Sequence, residues 1–412
     1  MPAPPTAASD RDRERRTARA ERQRAARRRR QWLLAALAAV AVLVLLVVLI
    51  GSGGGDDGPN GSRSAAAKGT AAERLAAELD DDELAGQRVI APFRQTGATV
   101  PPALRKAIAD GHVGGVILFA ENARRLRQAR ALTRRLQALP RPEALRRTPL
   151  LVLTDQEGGQ VRRLVDAPPR ASASEQGAGG PTVVRRAGRD SARALCAAGI
   201  NVNLAPVADL GGDGFIAAQD RTYGDDPETV STLAAAFLAG ARGGGIASTA
   251  KHFPGLGRAR RNTDEGRARI EAEASALRAR DLAPFRRLID GGVELVMLAN
   301  AIYPAYGPAP AVLAPKLVRD ELRGRLGFRG VTISDDLQAG AFSAVRSPEQ
   351  LAVTAARAGI DLLLYGTRTD GALVAARALR KALDDGGLAR DEARAATARV
   401  LDLRQRLARR CR

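Results

Sequence analysis

The sequence predicts an α/β fold, a (β/α)₈ TIM-type barrel of parallel strands, preceded by one N-terminal transmembrane helix. Three observations carry that expectation. Eight short, continuous apolar runs punctuate residues 71–412, with longer amphipathic stretches between them. The residues that close these runs are polar and reactive. Ahead of them lies a segment, residues 32–50, of 19 residues without one charge.

The runs occupy 88–93, 115–119, 150–154, 201–208, 246–250, 294–299, 331–334 and 361–365. They are continuous rather than alternating, so both faces of the sheet are expected to be covered. Neighbouring runs start roughly 25 to 50 residues apart, enough for one crossover helix in each interval. Helical periodicity fills 122–139, 183–198, 226–241, 273–289 and 348–358. Eight such units close most simply into a barrel. An open doubly wound sheet is the alternative, but no G-x-G-x-x-G follows the first run to favour it.

Residues 1–31 are polar and rich in arginine, without apolar periodicity, and read as a disordered cytoplasmic tail. At a rise of ~1.5 Å per residue, segment 32–50 reaches ~28 Å, enough to cross the hydrocarbon layer. The basic cluster Arg27–Arg30 should hold its leading end in the cytoplasm, and Trp32 sits where an interfacial anchor belongs. The remainder of the chain is then expected on the extracytoplasmic side of the cell membrane. A cleaved signal peptide is the competing reading, but its apolar region is usually shorter and ends at a small-residue cleavage site. Residues 51–70, rich in Gly, Ser and Asp, read as a flexible linker, which leaves 71–412 as the folded part.

Net charge is +20 over 412 residues, and residues 1–30 supply +7 of it, from eleven Arg and four acids. Such a balance can signal nucleic acid. Aromatic content is only 3%, however, and most of the arginines alternate with Asp, Glu and Ala as solvated helix faces do. No nucleic-acid partner is expected. The two cysteines, Cys196 and Cys411, form no C-x-x-C and no disulfide framework, and read as a buried small hydrophobe and a tail thiol.

Chemistry concentrates where the runs end. The fifth run breaks at Lys251-His252-Phe253-Pro254-Gly255, in a chain with 5 lysines, 60 arginines and two histidines. Proline and glycine stop the strand there, which should push Lys251 and His252 out beyond its carboxyl end. In a parallel barrel, strand ends and the loops after them form the reactive face. The third run leads into Asp155 and Arg163, the fourth into Asp209 and Arg221, the sixth into Asn300, and the seventh into Asp335 and Asp336. Single side chains on separate strand ends lack metal-ligand spacing, so neither metal nor cofactor is indicated.

Five motifs taken together resemble glycoside hydrolase family 3, of the single-barrel bacterial β-N-acetylhexosaminidase type. They are Gly-Gly-Val-Ile-Leu-Phe (114–119), Asp-Gln-Glu-Gly-Gly-x-Val-x-Arg (155–163), Asn-x-Asn-Leu-Ala-Pro-Val-Ala-Asp (201–209), Lys-His-Phe-Pro-Gly (251–255) and Ser-Asp-Asp-Leu (334–337). Their order matches the family, and the resemblance covers about residues 75–410. It implies a retaining glycosidase that removes terminal β-linked N-acetylglucosamine from cell-wall or related glycan fragments. Asp335 would be the nucleophile, and Asp336 is expected to cap the helix that follows. Asp155, Arg163, Arg221, Lys251 and His252 would bind the sugar, although Arg163 and Arg221 could instead form structural ion pairs with Asp155 or Asp220.

The chain departs from the family where the acid/base belongs. Family members usually carry an Asp-x-His dyad shortly after the Lys-His-Phe-Pro-Gly motif. Here Asn262 stands in place of that aspartate and Asp264 in place of the histidine. Asp264 is the expected acid/base, with Glu265 beside it, provided that burial or a neighbouring carboxylate raises its pKa. Two other readings remain open at this stage: a membrane-tethered barrel that binds glycan without cleaving it, and a β-glucosidase-like activity.

Overall fold

The computed structural model describes residues 69–94, 99–342 and 346–410. The expected tail (1–31), the apolar segment (32–50) and the linker up to residue 68 lie outside the described residues. Among the described residues no helix is long and apolar enough to cross a membrane.

Eight parallel strands form the central sheet: β1 (Val89–Pro92), β2 (Gly115–Ile117), β3 (Leu151–Thr154), β6 (Val202–Asn203), β7 (Ala247–Phe253), β8 (Leu295–Leu298), β9 (Val331–Ser334) and β10 (Leu363–Leu364). Between β3 and β6 a small antiparallel hairpin is inserted, β4 (Gln156–Gly158) and β5 (Val161–Arg162). The large sheet runs β10-β1-β2-β3-β6-β7-β8-β9. Its ends meet through a parallel bridge, Ile333 to Leu362, and a bond of 2.9 Å from the Ser334 amide to the Leu362 carbonyl. The expected barrel therefore closes.

Side chains alternate between two apolar layers, which is why the runs look continuous in sequence. Ile90, Leu151, Leu153, Val202, Leu295, Met297, Val331 and Ile333 pack into one central cluster. Val89, Ala91, Val116, Val152, Val296 and Leu298 join the outer cluster shared with the helices. Leu153 is fully buried, and Leu153→Ala should cost about 2–5 kcal/mol.

Helix Arg390–Leu407 adds Val400, Leu403 and Leu407 to the central cluster. Its buried Arg404 donates to the carbonyls of Pro149 (2.7 Å) and Thr148 (3.3 Å), just ahead of β3. That helix closes the end of the barrel where strands begin. The opposite end, where they stop, is left as the mouth.

Helices also occupy the expected intervals, at Leu126–Gln137, Gly180–Ala197, Pro227–Ala241 and Pro348–Ala358. The stretch expected as one helix over 273–289 is broken into Ala274–Ala276, a wide turn at Leu277–Asp281, and Ala283–Asp290. Pro284, at the second position of the last piece, has no N–H to continue an unbroken ladder.

Two expectations are corrected. Strand β7 runs through Lys251 and His252 to Phe253 instead of stopping before them. Phe253 pairs with Leu298 and packs edge-on against Phe285, ring centroids 5.3 Å apart, and this burial holds the strand together up to Pro254. Cys196 is disulfide-bonded, not a free thiol, and no cysteine among the described residues is free. The chain's other cysteine, Cys411, lies outside them.

Candidate active site

At the mouth, β3 delivers Asp155 and the β4–β5 hairpin turns the chain back so that Glu157 faces the same way. The turn needs glycine: Gly158 has φ +113°, and a β-carbon there would lie 2.0 Å from the Ala171 carbonyl oxygen. Both carboxylates meet Lys251, whose Nζ lies 2.7 Å from Asp155 Oδ1 and 2.6 Å from Glu157 Oε1. Arg221 donates through Nε and Nη2 to the two Glu157 oxygens, each at 2.9 Å. Arg163 approaches Asp155 Oδ2 at 3.5 Å, and its buried Nε has no partner among the described residues.

Three cations thus hold two buried carboxylates. Burial alone would raise the pKa of Asp155, but Lys251, Arg163 and Arg221 outweigh it and hold the group well below the usual carboxylate range. Burial likewise opposes ionisation of Glu157, yet Arg221 and Lys251 bring its pKa down to about 2. Desolvation would lower the pKa of Lys251, and the two carboxylates reverse that and raise it.

His252 is held by a different acid. Its Nδ1 lies 2.7 Å from Asp209 Oδ2, and its backbone N–H donates to Asp209 Oδ1 at 3.1 Å. The Leu256 amide donates to the same Oδ1 at 2.7 Å. With Nδ1 engaged, Nε2 is the ring nitrogen available to a ligand.

From the far side of the mouth come three carboxyls. Asp335 follows β9, its amide bonded to the Leu298 carbonyl at 3.1 Å, and its Oδ1 accepts from the Asp336 amide at 2.8 Å. Asp336 Oδ1 accepts from the amides of Gln338 (2.8 Å) and Gly366 (2.9 Å); in place of the expected helix cap it closes a turn and ties it to the loop after β10. Asp264 sits on a loop held by two backbone bonds, Gly340 N–H to its own carbonyl at 2.8 Å and Ala341 N–H to Thr263 at 3.0 Å. As a residue Asp264 is exposed, but it lines the same cavity as Asp335 and Asp336. Burial, then the charges of Asp335 and Asp336, push its pKa up to about 6, against a smaller opposing pull from His252 and Arg221.

All seven residues singled out from sequence, Asp155, Arg163, Arg221, Lys251, His252, Asp264 and Asp335, line one cavity of ≈ 380 Å³. Glu265 does not line it. Phe119 contributes an aromatic wall, with the Arg94 guanidinium 3.9 Å and the Arg163 guanidinium 5.5 Å from its ring centroid. Sequence reasoning gave no role to Glu157 or Asp209, although both lie inside the quoted motifs. Their adjacent partners in space, Arg221 and His252, are 64 and 43 residues away in sequence. Arg221 pairs with Glu157 and not with Asp220. Asn300 turns away from this cavity and donates to the Asp336 carbonyl at 2.8 Å. Among the described residues no group of His, Cys, Asp and Glu could hold a metal ion.

A closed parallel barrel with acids and cations converging on the polar cavity at its mouth is the architecture of a barrel enzyme acting on a small polar substrate. The family follows from comparison: residues 88–403 match the family model described as the glycosyl hydrolase family 3 N terminal domain, and the chain belongs to that family. It is 37% identical over 332 residues, 78% of this chain and 93% of the relative, to an uncharacterized secreted glycosyl hydrolase of Arthroderma benhamiae. It is 36% identical to a beta-hexosaminidase of Nitrosomonas eutropha over 284 residues, 67% of this chain and 80% of that protein. The crystal structure of a beta-N-acetylhexosaminidase from Beutenbergia cavernae superposes with a TM-score of 0.72 at 33% identity, covering 80% of this chain and 99% of that one.

Proposed function

We propose that this chain is a retaining β-N-acetylhexosaminidase that removes terminal β-linked N-acetylglucosamine from glycan fragments. The observation that carries the reading is the cavity that Asp335 and Asp264 both line, where burial and the charges of Asp335 and Asp336 raise the pKa of Asp264. Retaining glycosidases divide their work between two such carboxyls, one attacking and one transferring protons.

In the first step an Asp335 oxygen attacks C1, and the glycosidic bond breaks as Asp264 gives its proton to the leaving oxygen. In the second, Asp264 takes a proton from water, the water oxygen attacks C1, and Asp335 leaves with net retention. Lys251, fixed by Asp155 and Glu157, and His252, fixed by Asp209, present donors whose positions are set before the sugar arrives.

Hydrolysis of aryl β-N-acetylglucosaminide and aryl β-glucoside by the full-length protein tests this. Turnover of the former that vanishes in Asp335→Asn is expected. Binding without turnover would leave only a glycan-binding barrel, and preference for the glucoside would reassign the sugar.

The proposal extends to placement: an anchor at residues 32–50 with the barrel outside the cytoplasm. The disulfide at Cys196 supports this side, since such bonds persist in oxidising compartments. Recovery of the chain in the membrane fraction, with the barrel open to protease added from the extracytoplasmic side, is the expected result. A soluble or cytoplasm-facing barrel would refute it.

A further inference from the structure

The end of the barrel where strands begin holds a cavity of ≈ 220 Å³, lined by Arg88, Arg319, Arg323, Asp361, Glu392 and Arg399 with small residues between them. Arg88 stands just before β1 and Asp361 just before β10, beside the seam where the barrel closes. None of these residues lines the cavity at the mouth.

Four guanidiniums here face two carboxylates, an excess of two positive charges. Both carboxylates are already engaged. Glu392 accepts from Nη1 and Nη2 of Arg319, each at 2.9 Å. Asp361 accepts from Nε (3.1 Å) and Nη2 (2.7 Å) of Arg399, from Nη2 of Arg323 (2.6 Å) and from the Thr332 amide (2.9 Å). Arg88 is 2% exposed, and its side chain donates only to the carbonyls of Ile360 (2.7 Å) and Asp361 (3.3 Å). A buried cation is ordinarily paired, and this one has no carboxylate partner among the described residues. Burial pulls its pKa down to about 10, with Arg399 adding to the effect and Asp361 and Glu392 opposing it.

On Arg88 and on Arg399 alike, Nη1 makes no hydrogen bond among the described residues. Neither nitrogen is among the fully enclosed atoms that lack a partner, so each keeps surface that a ligand can touch. Arg88 is otherwise buried, and the cavity it lines is where that surface lies.

We infer that this cavity binds a small, doubly charged oxyanion, inorganic phosphate, with its oxygens on Nη1 of Arg88 and Nη1 of Arg399. A dianion matches the excess of two charges, and guanidinium N–H groups suit the oxygens of phosphate. The volume is below the roughly 300–1,000 Å³ of sites for larger organic ligands, and leaves room for one such ion and a few waters at ~30 Å³ each. The inference rests on this cavity alone and stands apart from the glycosidase reading.

Titration calorimetry of the full-length protein with sodium phosphate, in a fixed chloride background, tests it. Saturable binding with a Kd on the order of 1 mM is expected, with acetate, a single charge, at least about tenfold weaker. Ala395 is exposed on helix Arg390–Leu407 and lines the same cavity. Ala395→Glu brings a carboxylate to the free donors without removing any hydrogen bond, and should weaken phosphate at least about tenfold, whereas Ala395→Gln should not. Arg399→Gln removes one of the two donors and should weaken it similarly. Saturating N-acetylglucosamine should leave phosphate binding unchanged. Absence of saturable binding at about ten times the expected Kd overturns the site. So does phosphate binding that is as tight in Ala395→Glu as in the wild type, that acetate equals, or that N-acetylglucosamine displaces.

Discussion

Replacing the Asp264 carboxyl by an amide is the sharpest perturbation of the proposed catalytic machinery. In the wild-type protein this group has a pKa of about 6, because burial and the charges of Asp335 and Asp336 oppose its ionisation. An acid with that value is about nine-tenths protonated at pH 5 and about one-tenth protonated at pH 7, so a step that needs the proton slows about tenfold across that interval. Asp264→Asn keeps the shape and removes the proton. On an aryl glycoside with a poor leaving group, kcat/KM should fall by about 10²–10⁴-fold, while a dinitrophenyl leaving group, which departs without protonation, should lose far less. The descending limb near pH 6 should vanish from the variant's profile. The assay is steady-state hydrolysis of the two substrates from pH 4 to pH 8. Equal losses on both leaving groups, or a limb that survives in Asp264→Asn, would refute the assignment of Asp264 as the acid.

Further outcomes follow from the same geometry. Lys251→Met leaves Asp155 and Glu157 buried without the cation they share, and denaturant unfolding should show a loss of about 3–5 kcal/mol. Glu157 is held at about 2 by Arg221 and Lys251 against its ordinary 4.5, so the folded protein binds this proton less tightly than the unfolded chain does. Its contribution to stability is therefore complete above about pH 4.5 and is lost as pH falls toward about 2, and acid unfolding of Glu157→Gln should lack that component. Gly158→Ala forces a β-carbon into the Ala171 carbonyl at positive φ, and should lower the thermal midpoint and the activity together. Alkylation without reductant should leave Cys196 unmodified, and alkylation after reduction should label it.

The barrel was legible because burial on two faces writes itself into each strand locally. Run 331–334 and strand Val331–Ser334 coincide for that reason. The extent of β7 was not legible, because Phe253 is kept in the sheet by Leu298 and Phe285, contacts that no local pattern records. The same division holds at the site. Asp335 could be read from its place in a motif and Asp264 from standing where the family's histidine belongs, and both line the cavity. Glu157 and Asp209 could not be assigned, since their importance lies in cations and rings that only folding brings near. Asn300 marks a strand end just as Asp335 does. Its side chain nevertheless turns to the Asp336 carbonyl, a matter of rotamer and packing that strand position does not determine.

The proposed mechanism turns on a covalent bond between Asp335 and the sugar. Incubation with a slow fluorinated N-acetylglucosaminide carrying an activated leaving group, followed by intact-mass and peptide mass spectrometry, looks for that bond directly. A retaining mechanism predicts a gain of one glycosyl residue, carried on the peptide at Asp335 and absent from Asp335→Asn. A sugar attached elsewhere, or turnover of the reagent with no adduct and with an inverted anomeric product, would contradict it.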